Sequence, residues 1–326
     1  MNLRTEGPKL DAAGRSPKPL GSAALEVGEP PWAAEGPGDA PARRWPGAGF
    51  VRRLLRNPLT AMGVAVVAAL AALAVLAPLV APYPEHAAGA VDPVHKLLGP
   101  SPAHPFGTDE LGRDVLSRVL YGARISLAVG VVVQGLALVI GVPLGLVAGY
   151  LGGAVDEALM RVTDVMLAFP SLLLAMVICA ALKPNLANAT LAITIAWWPW
   201  YTRLARGQAV SVRQSGYVRA AEALGVPAPV IIWRHVLRNS LAPIIVQSSL
   251  DFGAIVLTLS SLSFLGLGAQ SPTPEWGLMV SLGRNFFLTD WWVVVFPGMA
   301  IFATVLAFNL VGDGLREALD PRARRV

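Results

Sequence analysis

Long apolar runs alternate with shorter polar segments along most of this 326-residue chain. The first run, residues 58–81, carries no charge, and a helix needs about 20 apolar residues to cross a bilayer core of about 30 Å. The pattern predicts six membrane-spanning helices, at residues 58–81, 125–150, 162–182, 186–202, 241–267 and 291–315. The expected fold class is therefore an all-α integral membrane protein with six transmembrane helices.

The composition agrees with a multi-span membrane protein. Hydrophobic residues make up 54% of the chain and charged residues only 14%, which is unusual for a water-soluble domain. Residues 1–49 differ from the rest, because they are rich in Pro, Gly and Ala with scattered charge and contain too little apolar surface to fold. We expect a disordered cytoplasmic tail at 1–49 and a transmembrane domain at 50–326.

The basic residues indicate how the chain lies in the membrane. An even number of spans places both termini on one side, and most arginines in short loops or at span ends fall on that side. By the positive-inside rule, both termini are predicted to be cytoplasmic. This arrangement also accounts for the net charge of +5, so no nucleic acid is expected as a partner.

Residue patterns for several kinds of enzyme are missing from the sequence. No lysine follows a glycine, so there is no nucleotide-binding P-loop. The four histidines have no metal-like spacing, no G-x-S-x-G occurs, and the single cysteine lies within an apolar run. We expect no catalytic residue, no metal site and no cofactor bound by this chain.

One long interruption, Tyr217–Asn239, lies on the predicted cytoplasmic side. Its pattern predicts a helical hairpin, in which Gly225 ends the first helix through a left-handed turn and Pro229 starts the second at its first position. One face of the first helix comprises Tyr217, Ala220, Ala221 and Leu224, and one face of the second comprises Val230, Trp233 and Leu237. On pattern alone, this hairpin either lies on anionic lipid or docks a soluble partner.

The same segment resembles the coupling loop, or EAA motif, of ABC importer permeases. That motif has Glu-Ala-Ala, a glycine six residues after the Glu, and a later Ile-x-Leu-Pro. The matching positions here are Arg219, Ala220, Ala221, Gly225, His235, Leu237 and Arg238. Arg219 replaces the Glu and Arg238 replaces the Pro, and this variant form is typical of the peptide and nickel branch. The resemblance implies that residues 207–240 form a loop that contacts an ATPase subunit.

A second segment, His104–Leu127, resembles the region before the second span in the second permease of dipeptide, oligopeptide and nickel systems. Its pattern predicts an amphipathic helix bracing that span, capped by Thr108 or Asp109, with a possible ion pair between Asp114 and Arg118. Two further runs, starting at Gly152 and Leu262, extend the resemblance over about residues 50–320.

The resemblance implies a type I ABC importer permease that forms half of a translocation pathway for peptides or a similar small solute. Its expected partners are a homologous permease, two ABC ATPase subunits that use ATP and Mg²⁺, an extracytoplasmic binding protein and the lipid of the bacterial inner membrane. The alternatives are an importer of nickel, glutathione or another solute, and a stand-alone channel. A membrane-embedded enzyme would need several converging titratable groups, which the spans do not offer.

A few residues inside the apolar runs stand out. Asp251, with Gln247 one helical turn before it, has no basic partner in sequence and is the candidate pore residue. Asp164 is expected to pair with Arg161. The glycines at spacing four, Gly141, Gly145, Gly149 and Gly153, predict a ridge that lets another helix approach closely.

Overall fold

The computed structural model describes residues 54–319, where all regular elements are helices apart from one isolated bridge between Thr108 and Asp114. The predicted tail, residues 1–49, lies outside the described range. The α-helices are α1 (Pro58–Val80), α2 (Pro84–Ala88), α3 (Val115–Leu151), α4 (Gly153–Leu167), α5 (Ser171–Leu182), α6 (Leu186–Arg213), α7 (Gly216–Ala223), α8 (Ala228–Ile231), α9 (Leu237–Phe264), α10 (Trp276–Gly283) and α11 (Trp292–Leu319). A π-helical turn, Ile232–Val236, joins α8 to α9, and short 3₁₀ turns lie at Pro93–His95 and Arg284–Phe286.

Within residues 54–319, four helical segments are long and apolar enough to cross a membrane: α1, α3, the continuous stretch Ala228–Phe264, and α11. The number rises to five if α4 and α5 together form one bent span. The predicted span 186–202 lies inside α6, where Trp, Tyr and Arg residues lower the mean hydropathy. The total of six spans therefore stays a prediction.

The predicted span 162–182 is not a single straight helix in the structure. The helix breaks between Leu167 and Ser171, and its two parts meet at an angle of 84°. The cause is Pro170, which has no N–H to donate and disfavours helical geometry at the residue before it. Hydrophobicity does not report this break, because the sequence stays apolar on both sides.

Two other predicted spans are longer in the structure. The helix predicted at 125–150 begins at Val115, and the helix predicted at 186–202 continues to Arg213. Both extensions contain arginines, which end an apolar run without ending a helix.

Helices α3 and α6 pack closely through three of the four predicted glycines. A Cβ added to Gly141, Gly145 or Gly149 would lie 2.5, 2.2 or 2.5 Å from a backbone oxygen of α6. These oxygens belong to Trp198, Thr202 and Arg206. The ridge is therefore confirmed at these three positions, whereas Gly153 lies in open space and contributes no such contact.

The segment before α3 is a compact polar loop rather than an amphipathic helix. Asp114, which is completely buried, caps α3 by accepting a 2.7 Å hydrogen bond from the backbone N–H of Ser117. The same carboxylate contacts Nδ1 of His104 at 3.0 Å. Thr108 and Asp109 are therefore not the cap, and Asp114 does not pair with Arg118. Instead, Asp109 accepts a 2.7 Å hydrogen bond from Arg113 and lies 3.6 Å from Arg118.

Candidate functional site

The segment 207–240 forms a helical hairpin at one end of the bundle, and we call residues 216–236 the coupling hairpin. Helix α7 is followed by a turn at Gly225, whose φ of +75° lies in the left-handed region, as the sequence predicted. The second helix starts one residue earlier than predicted, at Ala228, with Pro227 as its cap and Pro229 inside the first turn. It then runs through the π turn into α9, so the hairpin is continuous with a membrane-spanning helix.

One side of the coupling hairpin packs on the bundle. Its buried residues, which share a hydrophobic cluster with Tyr150, Ala205 and Ala209, are Val218, Ile231, Ile232 and Val236. Ala221 is partly buried and packs against the same cluster, and Leu237 does so at the start of α9. The hairpin is therefore held firmly against α3 and α6.

The opposite side of the coupling hairpin exposes apolar residues. Leu224 is 84% exposed and Tyr217 is 48% exposed, and Ala220 lies beside them in the open. On the second helix, Val230 is 42% and Trp233 52% exposed. Three of the four residues predicted to share a face of α7 thus point away from the bundle, and the fourth, Ala221, belongs to the packed side.

Polar residues surround this exposed surface. Arg219 and Arg238 are exposed, and within the described residues neither forms an ion pair. His235 is partly buried, with its ring centroid 6.3 Å from that of Tyr217. The Tyr217–His235 ring contact joins the two helices of the hairpin.

Two arginines of α6 tie α4 to the same end of the bundle. Arg206 donates two hydrogen bonds, of 2.6 and 2.7 Å, to the carboxylate of Asp156. Arg203 donates to Asp164. The predicted Arg161–Asp164 pair is wrong, since Arg161 lies 3.5 Å from Glu157. The arginine that pairs with Asp164 lies on another helix, so the spacing of residues along the sequence does not identify it.

A second polar group lies halfway along the bundle, and we call it the Asp251 cluster. It comprises Gln134 on α3, Tyr201 on α6, and Gln247 and Asp251 on α9. The Tyr201 hydroxyl donates to one Asp251 oxygen at 2.6 Å, and the Gln247 amide donates to the other at 2.9 Å. Gln134 in turn donates to the Tyr201 hydroxyl at 2.8 Å. The predicted proximity of Gln247 and Asp251 is confirmed.

Gln134 and Tyr201 are not among the residues predicted from the sequence. Gln134 carried a usable signal, because it is the lone polar residue in the apolar run GVVVQGLALVIGV. Tyr201 did not, because it follows the tryptophans of WWPWY and resembles a residue at the membrane interface. Only the packing of α3 against α6 shows that these two side chains meet.

Comparisons with known proteins agree with this architecture. Residues 141–325 match the family described as binding-protein-dependent transport system inner membrane component, and residues 46–100 match the N-terminal TM domain of oligopeptide transport permease C. A chain in an inward-facing structure of the MetNI methionine ABC transporter aligns with a TM-score of 0.52 at 17% identity, covering 63% of this chain and 98% of that one. At such low identity, this likeness concerns the fold.

Relatives of higher identity are also present. The chain is 49% identical to the probable D,D-dipeptide transport system permease protein DdpC of Escherichia coli, over 86% of this chain and 93% of that protein. It is 46% identical to the dipeptide transport system permease protein DppC of Alkalihalophilus pseudofirmus, over 84% and 89% respectively. The glutathione transport system permease protein GsiD of Pectobacterium atrosepticum is 42% identical over 86% of this chain and 93% of that protein.

The fold, the family match and these relatives agree: the chain is an all-α, membrane-embedded permease with the type I ABC importer fold, a transport subunit rather than an enzyme, and it belongs to the binding-protein-dependent transport system inner membrane component family.

Proposed function

We propose that this permease imports dipeptides or oligopeptides across the bacterial inner membrane. The support is the set of relatives at 42 to 49% identity, whose names specify D,D-dipeptide, dipeptide and glutathione transport. All three solutes are short peptides. Nickel, the other solute that the sequence pattern left open, is named by none of these three relatives.

The proposed assembly has four kinds of subunit. This chain pairs with a homologous permease, so that each contributes half of the pathway. Two ABC ATPase subunits bind ATP and Mg²⁺, and an extracytoplasmic binding protein delivers the solute. Both termini and the coupling hairpin lie in the cytoplasm, in keeping with the arginine distribution.

The coupling hairpin is proposed to dock an ATPase subunit through its exposed apolar side. The observation that carries this proposal is Leu224, an apolar side chain that is 84% exposed at the tip of a hairpin whose other side is fully packed. Large apolar side chains grouped on an exposed surface mark an interaction site. The hairpin is also continuous with α9, so movement of the ATPase would rotate that helix directly.

Substitution of Leu224 by Asp tests the docking proposal. Because Leu224 is outside the packed core, the variant should fold normally but lose co-purification with the ATPase and lose ATP-dependent uptake of a labelled dipeptide. Leu288→Asp is the matched control, since Leu288 is 94% exposed and lies outside the hairpin. Retention of the ATPase by Leu224→Asp would favour the lipid-bound alternative and overturn the docking proposal.

The Asp251 cluster is proposed to line the solute pathway. Gln247, Asp251 and Ala254 fall on one side of α9, and none of them is buried in this chain. An unpaired carboxylate in contact with hydrocarbon costs about 2.5 kcal/mol or more, so this side is expected to face a polar interior. A stand-alone channel could share this feature, but it would not need the coupling hairpin.

A further inference from the structure

The charge balance of the Asp251 cluster restricts what can bind there. The carboxylate receives hydrogen bonds from the Tyr201 hydroxyl and the Gln247 amide. Both donors are neutral. Among the described residues, no Lys, Arg or His forms an ion pair with Asp251, whereas Asp156 and Asp164 each have an arginine.

The donors leave room for another ligand. A carboxylate has about four lone-pair positions, and the two closest donors occupy one position on each oxygen. Asp251 is only partly buried, and the neighbouring Trp200 is 44% exposed. The carboxylate is therefore held in a fixed orientation. Its remaining lone pairs can accept hydrogen bonds from a molecule outside this chain.

The depth of the cluster also matters. Asp251 lies about 21 Å along the 28-residue helix α9, near its middle. At this depth a fixed opposite charge attracts a charged group more strongly than at the protein surface, because less water screens the two charges.

We infer that Asp251, oriented by Tyr201 and Gln247, binds the ammonium group of the solute during its passage through the permease. An ammonium group offers three N–H donors, and the open lone-pair positions of the Asp251 carboxylate can accept from it. The inference rests on the proposed function, since a short peptide carries such a group at its amino terminus. It makes the permease itself selective for solutes with a free amine.

The test uses the complete importer, with its partner permease, ATPases and binding protein, reconstituted in liposomes. Uptake of alanyl-alanine is compared with uptake of propionyl-alanine, which has the same skeleton but no ammonium group. Each solute is supplied at a concentration that saturates the binding protein, so that differences in its affinity do not enter. Asp251→Asn should reduce alanyl-alanine uptake about tenfold more than propionyl-alanine uptake, as expected for the loss of one charge-assisted hydrogen bond.

Two other variants separate binding from assembly. Asp251→Glu keeps the charge and should retain selectivity for the amine, whereas Asp313→Asn, which changes an exposed acid on α11, should behave like the wild type. An equal reduction of both solutes in Asp251→Asn, or no reduction, would overturn the inference while leaving the proposed function intact. Failure of the wild-type importer to take up alanyl-alanine would overturn the proposed function, and the inference with it.

Discussion

The hydroxyl of Tyr201 donates a 2.6 Å hydrogen bond to the carboxylate of Asp251 and so connects α6 to α9. These are the two helices between which the coupling hairpin is inserted. A movement that separates the helices would have to break this bond or carry both side chains together. The Tyr201–Asp251 bond therefore links the Asp251 cluster to the coupling hairpin, the part of the chain that is proposed to contact the ATPase.

Removal of the Tyr201 hydroxyl should destabilise the bundle. Tyr201→Phe keeps the buried ring but leaves Gln134 without its acceptor and Asp251 without its closest donor. We expect the free energy of unfolding to fall by about 1 to 3 kcal/mol, the cost of unsatisfied buried polar groups. The measurement is thermal unfolding of the purified protein in detergent.

Tyr121→Phe is the control for that experiment, because the Tyr121 hydroxyl has no hydrogen bond among the described residues. Equal thermal midpoints for Tyr201→Phe and Tyr121→Phe would show that the Tyr201 hydroxyl does not contribute to stability.

The close packing of α3 on α6 predicts a strong effect at Gly145. A methyl group there would lie 2.2 Å from the Thr202 backbone oxygen, so Gly145→Ala must push the two helices apart. We expect a loss of about 1 to 3 kcal/mol, as for other overpacked sites. Gly135→Ala lies on the same helix in open space and should instead gain about 0.5 to 1 kcal/mol through helix propensity. If Gly145→Ala were as stable as Gly135→Ala, or more stable, this packing argument would be wrong.

Much of the helical architecture follows from the hydrophobic pattern. Where the pattern mispredicts the limits of a helix, a local feature of the sequence is the cause. Helices α1 and α11 lie within a few residues of the predicted spans, because apolar runs there coincide with helices. The break between α4 and α5 depends on Pro170, which an apolar count does not register. The extension of α6 to Arg213 contains arginines, which end an apolar run without ending a helix, and one of them, Arg206, pairs with Asp156 on α4.

The candidate sites were only partly predictable for a related reason. Gly225 and the Gln247–Asp251 pair are local features, and a turn or a helical spacing is enough to identify them. Tyr201 and Gln134 join the cluster through contacts between different helices, which no local spacing encodes. The same applies to the Asp114 cap, because its contact with His104 depends on the path of the loop between them.

The buried position of Asp114 predicts a large loss of stability on its removal. Asp114→Ala would leave the Ser117 N–H and hydroxyl without an acceptor and His104 without its partner. We expect a loss of about 2 to 4 kcal/mol, from the missing cap and the unsatisfied buried groups. Thermal unfolding measures the loss, and Asp92→Ala is the control.

Asp92 suits that role because its side chain is 37% exposed whereas that of Asp114 is completely buried, although Asp92 too has a histidine partner. Its contact with His95 is 2.6 Å, and this hydrogen bond lowers the pKa of the Asp92 carboxyl. Exposed pairs of this kind contribute little to stability, so Asp92→Ala should unfold close to the wild type. If Asp92→Ala lost as much stability as Asp114→Ala, burial of the carboxylate would not be what makes Asp114 important.

Glu275 predicts how stability depends on pH. Its completely buried side chain caps α10 by accepting hydrogen bonds from the N–H groups of Gly277 and Leu278, at 3.0 and 2.9 Å. Burial raises the pKa of this carboxyl above its ordinary value of 4.5, and the two N–H groups only partly oppose that rise. The folded state therefore holds the proton to higher pH than the unfolded state does.

The contribution of Glu275 to the free energy of unfolding should consequently fall as pH rises from about 4.5 to the raised pKa of folded Glu275, since stability is lost where the folded state binds more protons. Glu275→Gln removes this dependence, because the amide does not titrate in that range. It also turns an NH₂ group toward one backbone N–H, which costs about 1 to 3 kcal/mol at low pH. Denaturation profiles of the wild type, Glu275→Gln and the exposed control Glu85→Gln between pH 4 and pH 8 measure both effects. If Glu275→Gln kept the pH dependence of the wild type, that dependence would come from other titratable groups.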